Sequence, residues 1–231
     1  MKILGIVGGI GPASTIDYYR LLQDAWRGSR PDGSYPPLLI NSIDLGRLLG
    51  LVGAGRLDEL AGWLGAEVER LARAGADLAL LASNTPHIVF DRVAARSPIP
   101  LVSIVEAAAQ AVAAAGFARV GLLGTRSTME GAFYPAAFAA RGLAVLAPDT
   151  DDRAWVHEKY LGELVPGDFR PETREGLLRV IGRLREAGAD AILLAGTELP
   201  LILRDAASPL PLIDTAAVHV RRAAALAWGS A

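Results

Sequence analysis

Four short stretches of the sequence combine glycine with small polar residues, and each follows an apolar run of strand length. They are residues 8–15, 82–87, 124–129 and 195–200. Hydroxyls and free backbone N–H groups can hold a carboxylate, and the N-terminus of a helix favours an anion. Any one stretch could be ordinary helix capping. Because all four lie where strands are predicted to end, they indicate a binding site for a small acid.

Composition and charge exclude several classes of site. The 231 residues include no cysteine, so neither a disulfide framework nor a thiolate metal site is possible. His87, His157 and His219 do not have the spacing of metal ligands, and we predict no metal. The net charge of −2 argues against nucleic acid as a partner. The N-terminal apolar run is too short for a leader or a membrane span, which predicts a cytoplasmic protein with no membrane partner.

The glycines near the start also resemble a dinucleotide-binding pattern. Gly9 and Gly11 are followed by Ser14, where a third glycine or an alanine is expected. The acidic residue that should end the second strand is missing, since that strand ends at Asn41 and Ser42. The context of the fingerprint is therefore absent, and we predict no nucleotide cofactor.

Apolar runs of strand length alternate with longer helical patterns along the whole chain, which predicts an α/β fold with parallel sheets covered by helices. The predicted helices are residues 15–26, 57–74, 107–115, 172–186 and 215–228. The predicted strands are residues 3–7, 37–41, 78–81, 100–103, 119–123, 191–194 and 212–213.

The second half of the sequence repeats the first. Residues 74–77 match 187–190, residues 100–103 match 211–214, and residues 5–8 match 121–124, at nearly equal offsets of 113, 111 and 116. We therefore expect two similar Rossmann-like domains, residues 1–103 with 216–231 and residues 104–215. Since ligands bind at the carboxyl ends of parallel strands, the two halves are expected to enclose one pocket.

The motifs together resemble the aspartate/glutamate racemase family, close to its aspartate racemase branch. The resemblance is carried by residues 8–12 with Thr15, Asp17, Tyr18 and Tyr19, by 41–44, by 121–125 with 128–130 and 133–134, and by Asp214, Thr215 and His219. It implies two pseudo-symmetric α/β domains, a homodimer, and an isomerase that racemises a small amino acid without pyridoxal phosphate or metal. In the family, one cysteine in each half takes or returns the α-proton between the domains.

This sequence departs from the family at both thiols, because Ser83 and Gly196 stand at the positions of the two cysteines. One explanation is that Glu198, two residues beyond Gly196, or His87, about one helical turn beyond Ser83, does the proton transfer. A second is a catalytically impaired homologue that binds a small dicarboxylate or amino acid. A third, an engineered Ser83, is disfavoured because glycine at 196 is an unusual choice for trapping a ligand.

The resemblance also implies which residues bind the substrate. Asn84, Thr85 and Thr197 would hold the α-carboxylate, Thr125 and Thr128 would bind a carboxylate from the second half, and Ile10 and Gly11 would line the floor through their backbone. Arg47 could neutralise a side-chain carboxylate, or it could be a solvated helix residue. The substrate is thus predicted to be a small amino acid or dicarboxylate.

Overall fold

The computed structural model describes residues 1–30, 32–204 and 207–229. The chain divides into two compact units, Met1–Ile104 with Ala216–Ala231, and Val105–Thr215. The first unit therefore includes the last helix of the chain. Residues 31 and 230–231 of the predicted first domain, and residues 205–206 of the second, lie outside the part that the structure describes.

The first unit is built on a four-stranded parallel sheet in the order β2-β1-β3-β4. Its strands are β1 (Leu4–Gly8), β2 (Leu38–Ser42), β3 (Leu78–Leu81) and β4 (Leu101–Val102). Its helices are α1 (Pro12–Ser29), α2 (Leu45–Gly53), α3 (Leu57–Arg73), a 3₁₀ turn (Thr85–Val89), α4 (Phe90–Ala94) and the returning α11 (Thr215–Trp228).

The second unit has a second parallel sheet in the corresponding order, β6-β5-β7-β8. Its strands are β5 (Arg119–Gly124), β6 (Ala144–Leu146), β7 (Ala191–Ala195) and β8 (Leu212–Asp214). Its helices are α5 (Ile104–Ala114), α6 (Arg126–Glu130), α7 (Phe133–Ala139), α8 (Thr150–Lys159), a π-helical turn (Tyr160–Leu164), α9 (Pro171–Glu186) and α10 (Leu199–Leu203). The predicted α/β class with two parallel sheets is confirmed.

Alternation along the central strands explains why helices cover both faces of the first sheet. Val7 and Leu81 pack with α2 and α3, whereas Ile6 and Leu80 pack with α1 and α11. Because both faces are apolar, β1 and β3 are buried throughout and read as continuous apolar runs in the sequence. The short strand β6 is only partly buried, and sequence patterning did not predict it.

The loop that connects β1 to α1 requires glycines, because its backbone adopts left-handed conformations and passes close to neighbouring atoms. Gly9 has φ +80°, and a Cβ at this residue would lie 2.5 Å from the backbone oxygen of Ile43. Gly11, the N-cap of α1, has φ +87°. Both are left-handed conformations that other residues adopt only with strain. The glycines of this loop are therefore required by the path of the backbone itself.

We predict that Gly9→Ala lowers the free energy of unfolding by at least about 1–3 kcal/mol, because it adds backbone strain and a steric clash. The matched control is Gly62→Ala in the middle of α3, where an added Cβ meets nothing within 4 Å. The control should raise stability by about 0.5–1 kcal/mol. Urea unfolding of both variants checks this, and a Gly9→Ala variant as stable as the parent would contradict it.

Candidate functional site

Parallel pairing brings the predicted site residues to the carboxyl edge of each sheet. In the first unit β1 pairs with β3, so the loop after Gly8 lies beside the residues that follow Leu81. In the second unit β5 pairs with β7, with Gly124 opposite Ala195. The residues that follow those strands, Thr125 and Gly196, therefore begin neighbouring loops. Each unit thus carries its own cluster of polar groups.

The loop after β1 is organised by Thr15. The backbone N–H of Gly9 donates to Thr15 Oγ1 over 2.9 Å, and this hydroxyl in turn donates to the backbone oxygen of Gly11. The side chain of Ile10 is buried in the apolar cluster with Val7 and Leu48. Ile10 therefore has a core side chain, and any contact that it makes with a ligand is left to its backbone.

The residues after β3 form a tight, buried turn. Ser83, Asn84 and Thr85 are all buried, and Asn84 precedes the 3₁₀ turn, where its backbone oxygen accepts from the N–H of His87. Ser83 thus lies at the predicted place, at the end of a central strand. Its hydroxyl requires a neighbouring base before it could take a proton.

His87 is not that base, because both of its ring nitrogens bond to the backbone. Nε2 accepts from the N–H of Ile104 over 3.2 Å, which leaves Nδ1 protonated and donating to the backbone oxygen of Ser83 over 2.9 Å. Burial, followed by the neighbouring His219, lowers the pKa of His87 to about 3. The expectation that His87 substitutes for a thiol does not agree with this geometry, in which His87 holds the turn.

His219 completes a buried polar chain behind this turn. Its Nε2 lies 2.9 Å from the backbone oxygen of Val102, and its Nδ1 lies 2.9 Å from the hydroxyl of Tyr18. Nε2 is therefore the donor and Nδ1 the acceptor. Burial lowers the pKa of His219 to about 4. The two imidazoles, with ring centroids 6.1 Å apart, are neutral structural links in the folded protein.

Arg47 lies away from these groups on the exposed surface of α2. Its guanidinium stacks over Trp63 at 4.4 Å from the ring centroid. The indole N–H of Trp63 donates to the buried Glu67, which also accepts from Asn41 and Arg70. Arg47 therefore stacks on a side chain whose polar partners are already hydrogen-bonded. This favours the interpretation of Arg47 as a solvated helix residue over a role in binding a carboxylate.

Thr125 and Thr128 are brought together at the end of β5. Thr125 is the N-cap of α6, and its Oγ1 accepts from the N–H of Thr128 while lying 3.1 Å from the Thr128 hydroxyl. Thr128 is fully buried. Much of the hydrogen-bonding capacity of this pair is therefore used in capping the helix.

Gly196, at the end of β7, faces the ring of Tyr160. A Cβ built on Gly196 would lie 2.9 Å from Tyr160 Cζ and 3.0 Å from the phenolic oxygen, with Cε2 closer still. Gly196 is not among the glycines with positive φ. The neighbouring ring, and not the backbone conformation, thus excludes a side chain here. The aromatic ring takes the space in which a side chain at position 196 would begin.

Glu198 is the buried acid of the second unit. Its Oε2 accepts hydrogen bonds from the hydroxyl of Tyr160 and, over 3.0 Å, from that of Thr197. Its Oε1 is buried without a hydrogen-bond partner in the described chain. Burial raises the pKa of the Glu198 carboxyl, and the two hydroxyl bonds offset this only in part. Burial and the adjacent carboxyl also raise the pKa of Tyr160, so the phenol keeps its proton.

Tyr160 was assigned no role from the sequence. It begins the single π-helical turn that follows α8. On the same turn, Glu163 pairs with Lys159 at 2.6 Å and accepts from Thr173. Wide turns of this kind are frequent at functional sites. The anchored turn directs Tyr160 towards Gly196 and Glu198.

Other features of the surface carry no part of this site. The described residues contain no group of three or more histidine and acidic side chains arranged to hold a metal ion. Two surface clefts, one beside Arg73 and Arg96 and one beside Asp152 and Arg183, include none of the predicted site residues. No helix in the described part of the chain is long and apolar enough to cross a membrane.

We predict that Gly196→Ala destabilises the protein by about 1–3 kcal/mol, because the added methyl overlaps Tyr160. Gly182→Ala on α9, where a Cβ meets nothing within 4 Å, is the matched control and should not destabilise. In a Tyr160→Ala background the cost of Gly196→Ala should fall by more than about 1 kcal/mol. A double-mutant cycle by urea unfolding measures this coupling, and a coupling near zero would refute the contact.

We also predict loss of stability in mild acid. The folded pKa values of His87 and His219, about 3 and 4, lie below the ordinary value of 6.5. The two neutral histidines therefore contribute fully to the free energy of unfolding above pH 6.5. Their contribution declines as the pH falls towards the pKa values of the folded state, by on the order of 2 kcal/mol for each histidine at pH 4.5. Urea unfolding at pH 7 and 4.5 measures the change.

The half-exposed His157 provides the control for this prediction. His157→Gln should leave most of the acid-dependent loss in place. Histidine proton NMR of the folded protein should show two imidazoles still neutral at pH 5, and protonation of all three by then would contradict the assignment.

Comparison with known proteins places these observations in context. Residues 7–223 match the family model described as Asp/Glu/hydantoin racemase. The chain is 25% identical over 93% of its length to the broad specificity amino-acid racemase RacX of Bacillus subtilis (strain 168), and it covers 93% of that protein.

Two solved structures have the same fold over nearly the whole chain. One is a candidate Asp/Glu racemase from Yersinia pestis, with 32% identity, coverage of 98% of this chain and 99% of that one, and a TM-score of 0.89. The other is an aspartate racemase homologue from Pyrococcus horikoshii OT3, with 33% identity, the same coverages and a TM-score of 0.81. This chain belongs to the Asp/Glu/hydantoin racemase family.

Proposed function

We propose that this protein is a cofactor-independent amino-acid racemase of the aspartate/glutamate type, in which Glu198 and Tyr160 replace the second thiol. The observation that carries the proposal is the Glu198 carboxyl, buried at the end of β7 with Oε2 bound by two hydroxyls and Oε1 unbonded. Membership of a racemase family supports isomerase chemistry. Pyridoxal phosphate independence, the choice of aspartate, a homodimer and a cytoplasmic location stay predictions from the resemblance.

Glu198 has the properties of a general base for α-proton transfer. A raised pKa brings a carboxylate closer to the operating pH, at which it accepts a proton more readily. When the α-C–H bond breaks, its electron pair stays on the substrate and the proton goes to Glu198 Oε1. The reverse step returns that proton to carbon. Tyr160 and Thr197 hold Oε2 throughout, which fixes the direction of Oε1.

Inversion of the α-carbon requires a second proton-transfer group, and the first unit supplies only a weak one. Ser83 stands at the family's first cysteine position, and His87 cannot activate it because the backbone occupies both imidazole nitrogens. A hydroxyl without a base transfers protons slowly. We therefore expect exchange of the α-proton with solvent to be faster than inversion.

The same locked histidine favours a second candidate function, an amino-acid-binding protein without turnover. In that case Glu198 and the threonines would hold the ligand, and no group would remove its α-proton. Ligand-dependent thermal stabilisation without any exchange is the expected behaviour of such a protein.

The test is incubation of the protein with L-aspartate and L-glutamate in D₂O, with loss of the α-proton signal followed by NMR and inversion followed by chiral chromatography. We predict exchange for at least one substrate, with Glu198→Gln lowering the rate by about 10²–10⁴. Tyr160→Phe, which deletes only the hydroxyl, should lower it by about tenfold through the loss of one hydrogen bond.

Glu175→Gln, the same change on the exposed surface of α9, is the matched control and should exchange at the parental rate. Exchange that survives Glu198→Gln would exclude Glu198 as the base. Thermal stabilisation by the amino acids without exchange would replace the racemase proposal with the binding one.

A further inference from the structure

In the part of the chain that the structure describes, only one of the two oxygens of the Glu198 carboxyl is hydrogen-bonded. Both hydroxyl donors, from Tyr160 and Thr197, reach Oε2, whereas Oε1 is buried and has no partner among the described residues. Since buried polar atoms are nearly always hydrogen-bonded, an orphaned carboxyl oxygen at a strand end indicates a missing partner. When Glu198 is ionised, that partner must be a hydrogen-bond donor, because a carboxylate oxygen accepts.

Among the residues that the structure describes, no cationic side chain is bonded to Glu198 Oε1. The titratable side chain bonded to Glu198 is Tyr160, which is neutral and already donates to Oε2. At the end of α8, Lys159 pairs with Glu163. On α9, the guanidinium of Arg174 reaches α10, but it donates to the backbone oxygen of Ile202. Within the described chain, the charge that would stabilise an ionised Glu198 is therefore left to a ligand.

We propose that Glu198 Oε1 receives the α-ammonium group of the substrate, and that binding of the ammonium expels the proton that Glu198 carries in the free protein. The inference rests on the proposed function, in which Glu198 contacts the substrate. It adds that the site selects its ligand by the ammonium group. Amino acids bind with release of a proton, whereas dicarboxylates without an ammonium group leave Oε1 unpaired.

Elementary electrostatics explains the coupling. Burial disfavours the charged form of Glu198 and raises its pKa above that of an exposed carboxyl, so ionisation of the empty site is less favourable than ionisation in water. An ammonium group in contact with a carboxyl lowers its pKa by about 1–3 units. The ligand thus converts the acid to a carboxylate, which is the form able to accept an α-proton. Substrate and base would be activated in one step, while an empty site would keep its carboxyl neutral.

The test is titration calorimetry of the whole protein with L-aspartate and L-glutamate in two buffers of different ionisation enthalpy, which gives the number of protons released. Succinate and glutarate, the same dicarboxylates without the ammonium group, are the matched ligands. We expect release approaching one proton with a bound amino acid and none with the dicarboxylates. We also expect the Kd of the amino acid to decrease by up to about tenfold for each unit by which the pH rises, over the pH range in which the proton is released.

Glu198→Gln should abolish proton release and weaken amino-acid binding while leaving dicarboxylate binding unchanged, and Glu175→Gln should behave as the parent.

Infrared spectra supply an independent readout. The carbonyl band of a protonated carboxylic acid should be present in the free protein, absent in Glu198→Gln, and lost when the amino acid binds. Binding without proton release, equal release with succinate, or no binding of either amino acid would overturn the inference.

The two proposals fail separately. Proton release without α-proton exchange would retain ammonium recognition and reject the racemase activity. Exchange without proton release would retain the activity and show that Glu198 is already ionised before the ammonium arrives.

Discussion

Parallel pairing of the central strands is the constraint on which the rest of the structure depends. Because β1 pairs with β3 and β5 with β7 in the same direction, the connections between paired strands must cross over. In the first unit, helices consequently pack on both faces of the sheet. Both faces of the central strands are consequently apolar, and polar residues are confined to the strand ends. The clusters at Ser83 and Glu198 are a result of this arrangement, since each directly follows a buried strand.

The two clusters use burial in different ways. In the first unit every imidazole nitrogen of His87 and His219 is bonded, so the histidines stay neutral and stiffen the turn after β3. In the second unit only one oxygen of Glu198 is bonded. A satisfied buried network rigidifies a fold, whereas an incompletely satisfied one costs stability unless a ligand completes it. This contrast is the reason why the proposed reactive group is Glu198 and not a histidine of the first unit.

The central elements could be predicted from the sequence, because burial on both faces produces unbroken apolar runs such as residues 78–81 and 191–195. The end of α11 at Trp228 was also predicted. The edge strand β6 was not, because one exposed and two partly buried residues give no periodic signal. Tyr160 could not be assigned either, since its contact with Gly196 joins residues 36 positions apart in the chain and leaves no local pattern. His87 was misjudged because sequence spacing does not reveal that Ile104 occupies its second nitrogen.

The absence of a side chain at Gly196 and the position of the Tyr160 ring depend on each other. A thiol at position 196 and the present position of the Tyr160 ring are sterically incompatible, because the first side-chain carbon would already overlap the ring. Once the ring occupies that space, its hydroxyl reaches Glu198 and fixes one carboxyl oxygen. A glycine at position 196 therefore permits the ordering of an acid two residues away. Under the proposed function, a buried carboxyl in place of a thiol would move the control of proton transfer from the pKa of a thiol to the charge that the ligand brings.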